Sequence, residues 1–248
     1  MHRLKLALIF LAALVPTTHA QKRPMTFEDM IAMKRLGETT VSPEGKWLAY
    51  SVTTVDLANN TETAELWIQQ ISGGDPHRLE VAQPGDSGPQ FSSDGKRILF
   101  LSSRTGSQQI WLADFYPATG AAGNPIQLTH NSVEPDNARW SPDGHFVLLT
   151  APVYPDCPAF TEADASEKSP PDLCNSDRDK AAAASKVKAQ LFTHLLYRHW
   201  NHFTGDKRSH IFHVLVEGSG MRDLTPNDPH DVPPFSLGGD GGFSISPD

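Results

Sequence analysis

A recurring turn phrase, the apolar runs after it and a cycle of about 50 residues predict an all-β fold. The predicted form is a partial β-propeller of about three blades, with a short N-terminal helix and one long insertion. From serine to serine the copies are 50, 49 and 105 residues apart. The copies are Ser42-Pro43-Glu44-Gly45, Ser92-Ser93-Asp94-Gly95 and Ser141-Pro142-Asp143-Gly144, and Ser246-Pro247-Asp248 opens a fourth.

The residues of the phrase suit a tight turn, and those after it suit a buried strand. Proline fixes φ, aspartate bonds the nearby backbone and glycine accepts a positive φ. The runs 47–50, 97–100 and 146–149 are rich in β-forming residues. One small sheet cannot shield two apolar faces by itself, so such sheets stack around an axis. An irregular β-sandwich with coincidental turns is the alternative.

The cycle divides the chain into segments. We expect a leader at 1–20, an N-terminal arm at 21–40 and an incomplete propeller at 41–248. Blades are expected near 41–90, 91–139 and 140–245, the last lengthened by an insertion at 151–210. Because the fourth copy of the phrase breaks off at Asp248, we expect the chain to be part of a longer repeat protein.

The first 20 residues have the pattern of an export signal. Arg3 and Lys5 form a basic start, 6–15 are apolar, and Thr18-His19-Ala20 is a small-residue cleavage site. The apolar run is shorter than the ~20 residues that a spanning helix needs. We therefore expect a periplasmic or secreted protein with no membrane span after cleavage. An uncleaved lipid-facing anchor is the alternative.

Two helices are expected outside the blades. Thr26 can cap a helix that runs to about Arg35, with Asp29 in its first turn. In the insertion, residues 176–185 have helix propensity after a Pro-rich loop at 154–172. Residues 187–197 could form a helix or a strand, and we expect a strand, because the third blade otherwise lacks its second strand.

The two cysteines, Cys157 and Cys174, lie in the polar, Pro-rich part of the insertion. In an exported chain their spacing permits a disulfide, which would order this loop. Two unrelated thiols are the alternative.

The charge balance argues against a nucleic-acid partner. Without the leader the chain has 19 basic and 29 acidic side chains, a formal charge of −10. Nucleic-acid binding calls for a clustered basic face, and none is present.

Two short motifs invite a catalytic or metal interpretation. Gly85-Asp86-Ser87-Gly88-Pro89 resembles a nucleophile loop, but it lacks the final glycine of the elbow and is better explained as a linker between blades. His199 and His202 resemble half of a metal site, but no third ligand lies at a suitable spacing. We expect structural histidines, no metal and no cofactor.

The densest polar and aromatic cluster spans residues 197–203. Arg198, His199, Trp200 and Asn201 are the candidate substrate-binding residues, because an arginine can bind a carboxylate or carbonyl while aromatic rings stack on a ligand. A blade strand and loop that pack on a neighbour are the alternative.

Several phrases together resemble the N-terminal propeller of exported serine peptidases of the prolyl oligopeptidase family, in its bacterial dipeptidyl-peptidase and acylaminoacyl-peptidase branch. The turn phrase by itself is shared with TolB-like propellers, but the arginine-histidine-tryptophan phrase is more specific. After Trp200 the family shows an aspartate and then a tryptophan, where this chain has Asn201 and Phe203. The phrases are Met25-Thr26-Phe27-Glu28-Asp29-Met30, 41–50, Tyr197-Arg198-His199-Trp200, Gly205-Asp206-Lys207-Arg208-Ser209-His210 and Gly238-Gly239-Asp240-Gly241-Gly242.

The resemblance implies a propeller that gates access of short peptides to an α/β-hydrolase domain with a Ser-Asp-His triad. No segment of this chain matches that domain, so no catalytic residue is carried over and the chain by itself is expected to be inactive. The alternative is a non-enzymatic TolB-like periplasmic scaffold that binds proteins.

Overall fold

The computed structural model describes residues 23–187, 189, 192, 195, 198–199, 202–203, 205–218, 220–234 and 242–246. The expected leader at 1–20 lies outside them. The chain forms two compact units, residues 1–33 and residues 34–248. None of the helices in the described part of the chain is long and apolar enough to cross a membrane.

The described part of the first unit contains one short helix, α1 (Phe27–Ala32). The Thr26 hydroxyl accepts a hydrogen bond from the Asp29 amide, and the Asp29 carboxylate accepts one from the Thr26 amide. This reciprocal cap fixes the start of the helix where the sequence places it. The helix ends earlier than expected, because residues from Arg35 onward join a sheet.

The described part of the second unit contains three antiparallel four-stranded sheets, which confirms the propeller-like all-β fold. In the sequence, a helix and a two-stranded hairpin come between the second and third strands of the third sheet. The first sheet is β1 (Arg35–Val41), β2 (Trp47–Asp56), β3 (Thr61–Gln70) and β4 (His77–Arg78), and the second is β5 (Ser87–Phe91), β6 (Arg97–Ser102), β7 (Gln109–Tyr116) and β8 (Ala121–Gln127). The third begins with β9 (Asp136–Trp140) and β10 (Phe146–Val153), which the chain follows with α2 (Pro170–Ala184) and the hairpin of β11 (Arg198–His199) and β12 (His202–Phe203). It is completed by β13 (Arg208–Leu215) and β14 (Arg222–Asp223).

The turn phrase joins the first two strands of each sheet, whereas the sequence placed it before the first strand. In the second turn the Ser92 hydroxyl accepts from the Arg97 amide and donates to the Asp94 carboxylate, at 3.0 and 2.6 Å. The third turn repeats both bonds with Ser141, Phe146 and Asp143. The glycines of the three turns have φ of 71°, 67° and 73°, which glycine adopts without strain.

The serine hydroxyls also lower the pKa of the two turn aspartates, Asp94 and Asp143. A carboxyl group whose pKa is lowered by folding stabilises the fold above its unfolded pKa, and that contribution is lost as the pH falls through the lowered value. The second and third turns are therefore best ordered when both aspartates are ionised.

The sheets stack face to face, and each turns one face toward the next. The first sheet packs Trp47, Ala49, Leu66 and Ile68 against the second sheet, where Phe100 and Ile98 are fully buried. The other face of the second sheet meets the third sheet in a separate apolar cluster. That cluster includes Leu99, Leu101, Ile110, Leu112, Val147, Leu149, Val153, Phe212 and Val214.

Two tryptophan side chains form hydrogen bonds between neighbouring sheets. The indole N–H of Trp47 in the first sheet donates to the carbonyl of Pro117 after β7, at 2.9 Å. A Cβ at Gly120 would lie 2.3 Å from the Trp47 ring, so only glycine allows this close approach. Likewise the indole N–H of Trp140 in the third sheet donates to the Gln90 carbonyl in the second, at 3.2 Å.

The outer faces of the stack are less well covered. Leu48, Tyr50 and Trp67 on the first sheet are half-buried, as are Phe146 and Leu148 on the third. The described residues place no further sheet against either face. A half-exposed apolar stripe without a neighbouring sheet favours self-association.

The insertion is ordered around the helix α2, which a disulfide between Cys157 and Cys174 links to the preceding loop. The helix begins at Pro170, six residues before the expected start, because prolines are tolerated in a first turn where no amide bond is lost. The Asp172 carboxylate accepts from the Ser132 amide at 2.7 Å, which ties α2 to the loop before β9.

The third sheet does not need the expected strand at 187–197. The third sheet has its four strands without this segment, because β13 pairs directly with β10 from Phe146↔Leu215 to Val153↔Arg208. Most residues of 187–197 lie outside the described part of the chain.

Ser92 should contribute more to the free energy of unfolding than its neighbour Ser93. Ser92→Ala removes the hydroxyl that bonds the Arg97 amide and Asp94, and we expect a loss of about 1–2 kcal/mol in the free energy of unfolding. Ser93→Ala is the matched control, since Ser93 is exposed, and its change should stay within about 0.5 kcal/mol. Equal losses in urea denaturation would contradict this role of the turn.

The stacking order predicts different outcomes at one repeat position. Leu48 and Ile98 both stand six residues after a phrase serine, but Ile98 is covered by the first sheet and Leu48 faces outward. Ile98→Glu should unfold the chain, because an unpaired carboxylate would be buried. Leu48→Glu should leave the melting temperature nearly unchanged and reduce self-association in analytical ultracentrifugation. A monodisperse wild-type chain would contradict the exposed-face argument.

Candidate functional site: the hub cleft

The first strands β1, β5 and β9 converge on one side of the stack, which we call the hub. A cleft of about 800 Å³ opens there between them. Residues 243–245, which stand just before the fourth copy of the phrase, also line it. All four copies of the repeat therefore contribute the segment before their turn to one cavity.

Each of these strands is irregular where it borders the cleft. The pairing of β1 with β2 shifts between Leu36 and Thr39, and that of β5 with β6 shifts between Ser87 and Gln90. In β9 the shift falls opposite Leu148 and Thr150, beside Asn137, which has a φ of 49°. Bulges of this kind redirect side chains and are frequent at functional sites.

Three of the described lining residues are charged: Glu38, Asp136 and Arg139. Glu38 accepts a hydrogen bond from the Ser51 hydroxyl at 2.8 Å. Asp136 accepts one from the amide of Asn137, also at 2.8 Å. The Arg139 guanidinium lies over the ring of Phe243, with 5.8 Å between Cζ and the ring centroid.

This arrangement suits binding rather than bond cleavage. Charged groups of both signs, two side-chain amides and three aromatic side chains of the described residues line a cavity of the size that takes small ligands. Among the described lining residues no histidine is present that could activate a serine. Of the lining serines, Ser141 is already committed to its turn through the bond to Asp143.

The two sequence-predicted binding residues that the structure describes, Arg198 and His199, are not among the residues that line the cleft. Arg198 and His199 form β11, where Arg198 pairs with Phe203 of β12 and its guanidinium lies 5.9 Å from that ring. Trp200 and Asn201 fall outside the described residues, so their role in binding stays a prediction.

The loop resembling a nucleophile motif has a structural role at Asp86. This carboxylate is buried and forms an ion pair with Arg104, whose guanidinium stacks 4.5 Å from the Trp111 ring. The charge pair lies at the end of the second sheet and holds the linker to β6. Ser87 begins β5, where it pairs with Leu101.

His210 is buried in the third blade with its ring nitrogens satisfied. Nδ1 lies 2.7 Å from the Asp223 carboxylate, and Nε2 lies 3.0 Å from the Asp228 carbonyl. Burial by itself would lower the pKa of His210, but the hydrogen bonds with Asp223 and Asp228 outweigh it, so the pKa is raised above 6.5. No group of three or more metal-ligating side chains occurs among the described residues.

Sequence reasoning missed Glu38, Asn137 and Arg139. The repeat could have indicated them, since Glu38 and Asn137 stand four residues before Ser42 and Ser141, and Arg139 stands two before Ser141. The repeat pattern does not show that these positions face a cavity, because the residue type at each position differs between copies of the repeat.

Comparison with known proteins places the chain beside peptidases. No family model matches it. Dipeptidyl-peptidase 5 of Porphyromonas gingivalis is 26% identical over 232 residues, which are 90% of this chain and 30% of that protein. The uncharacterized peptidase YuxL of Bacillus subtilis is 23% identical over 219 residues, 88% of this chain and 30% of that protein.

A solved structure supports the fold. Acylaminoacyl peptidase in complex with Z-Gly-Gly-Phe-chloromethyl ketone superposes with a TM-score of 0.50 at 16% identity, over 76% of this chain and 24% of that one. The chain thus spans about 30% of the length of the two curated peptidase relatives. Its resemblance to a propeller-like portion of peptidases is confirmed.

The buried histidine should make stability depend on pH. A histidine whose pKa is raised by folding stabilises the protein fully below its unfolded pKa of about 6.5, and this contribution is lost as the pH rises through the folded value. His210→Gln should therefore cost about 1–3 kcal/mol at pH 6 and less at pH 9.

His230→Gln is the matched control, because the His230 side chain is 84% exposed and also contacts an aspartate. Its cost should stay within about 0.5 kcal/mol. Urea denaturation at several pH values measures both variants. A His210→Gln cost that grows with pH would contradict the assignment.

Proposed function

We propose that this chain is the substrate-gating propeller portion of an exported serine exopeptidase of the prolyl oligopeptidase family. The observation that carries the proposal is the match to dipeptidyl-peptidase 5 along 90% of the chain. The triad is proposed to lie in a separate α/β-hydrolase domain of the same protein, and the substrates are short peptides.

The hub cleft supports a gating role. It is a cavity of about 800 Å³ bounded by the first strands of three sheets and by residues 243–245, so its width is set mainly by the packing of whole sheets. A short extended peptide fits such a space, whereas a folded protein does not. The peptidase relatives favour this function over a TolB-like scaffold.

Export is part of the proposal. The basic start, apolar stretch and small-residue site at 1–20 support a cleaved leader. A disulfide between Cys157 and Cys174 suits the oxidising compartment that export would reach. The proposed location is the periplasm or the exterior.

The test is expression of the complete open reading frame that contains this chain. Its product should release nitroaniline from dipeptidyl- or acylaminoacyl-nitroanilides, and a serine-reactive fluorophosphonate should label it and abolish the activity. Residues 23–248 by themselves, at the same concentration, are the control and should show neither activity nor labelling.

Two outcomes would overturn the proposal. One is a complete product with further blades and no fluorophosphonate-reactive serine, which would indicate a scaffold. The other is equal cleavage of short peptides and of a folded protein substrate, which would remove the gating role. Cell fractionation of the same product checks its export.

A further inference from the structure

We propose that the hub cleft binds the C-terminal carboxylate of a short peptide and that Arg139 is the residue that recognises it. The peptide nature of the ligand rests on the proposed function. The carboxylate specificity rests on the geometry of Arg139 and its neighbours.

Arg139 is the basic side chain among the described residues that line the cleft. Its Nε is buried and has no hydrogen-bond acceptor among the described residues. A buried donor without a partner is destabilising and uncommon in folded proteins, so its presence at a cavity wall calls for an explanation. Because Nε is shielded from solvent, a ligand in the cleft would bind the two terminal amino groups of this guanidinium, and acceptor oxygens there would offset the cost of the buried donor.

The two carboxylates of the described cleft lining keep their negative charge but do not form an ion pair with Arg139. Glu38 is engaged with the Ser51 hydroxyl, and Asp136 with the Asn137 amide. Because the guanidinium stays charged at any physiological pH, the cleft presents a positive group to its contents.

Phe243 orients the guanidinium. Its ring lies beneath Arg139, and an arginine stacked on an aromatic face presents its N–H groups edge-on. A carboxylate matches such an edge with two parallel hydrogen bonds. The compact ammonium group of a lysine, which has no planar edge, would not select a planar carboxylate over other anions in this way.

The strands around the cleft favour a peptide over a small inorganic anion. β1, β5 and β9 are each the terminal strand of their sheet, so each pairs along one edge and turns the other toward the hub. Free backbone N–H and C=O groups along such edges can bind an extended peptide. An inorganic anion would use Arg139 but none of these edges.

The experiment titrates residues 23–248, at low micromolar concentration, with acetyl-trialanine, with its C-terminal amide and with inorganic phosphate. Tryptophan fluorescence reports binding, since Trp140 lines the cleft. The free acid should bind, and the amide should bind about tenfold or more weakly, the effect of losing one charge-assisted contact.

Arg139→Met should weaken binding of the acid by about tenfold or more and leave binding of the amide unchanged. Arg222→Met is the matched control, because Arg222 lies on the same sheet, beside Glu162 and away from the cleft, and it should bind like wild type. The comparison of acid with amide uses the wild-type chain, so it stands even where a variant fails to fold.

Equal binding of acid and amide, no saturable binding, or an unchanged Arg139→Met variant would overturn the proposal. Phosphate that competes as strongly as the acid would also overturn it, in favour of a general anion site. These readouts require no hydrolysis. A complete product without peptidase activity would therefore remove the proposed function and leave the carboxylate site standing.

Discussion

The structure depends on one constraint: a four-stranded sheet with apolar residues on both faces needs a neighbour on each side. Phe100 and Ile98 are fully buried only because the first sheet covers them, and Leu99 only because the third sheet lies opposite. Stacking is therefore not an addition to finished sheets. It is the condition under which each sheet is stable, and it makes the order of the sheets follow the order of the chain.

The same constraint creates the hub. When sheets stack in sequence through repeated turns, their first strands come together on one side and leave a cavity between them. The bulges near Glu38, Gly88 and Asn137 belong to those strands. Positions that stacking leaves unconstrained can vary, and this is where Arg139 and its charged neighbours stand.

The insertion follows a different rule. It leaves the third sheet after β10 and returns at β13, so the two strands still pair along eight residues. Between them a disulfide and the contact of Asp172 with Ser132 hold α2, rather than an apolar core. The repeat tolerates such a long excursion because closing a longer loop adds little entropy once the strand ends are fixed.

The sequence by itself determined the turns, the stacked sheets, the capped start of α1 and the kinship with peptidases, because these depend on local residue types at a regular spacing. Tertiary structure decided that the turn phrase joins the first and second strands, that β13 replaces the expected strand at 187–197, and that Arg139 faces a cavity. The difference is physical. A turn is set by the φ preferences of four neighbouring residues, whereas a cavity wall is set by side chains from segments as distant as 37–40 and 243–245, which only the packing of whole sheets brings together.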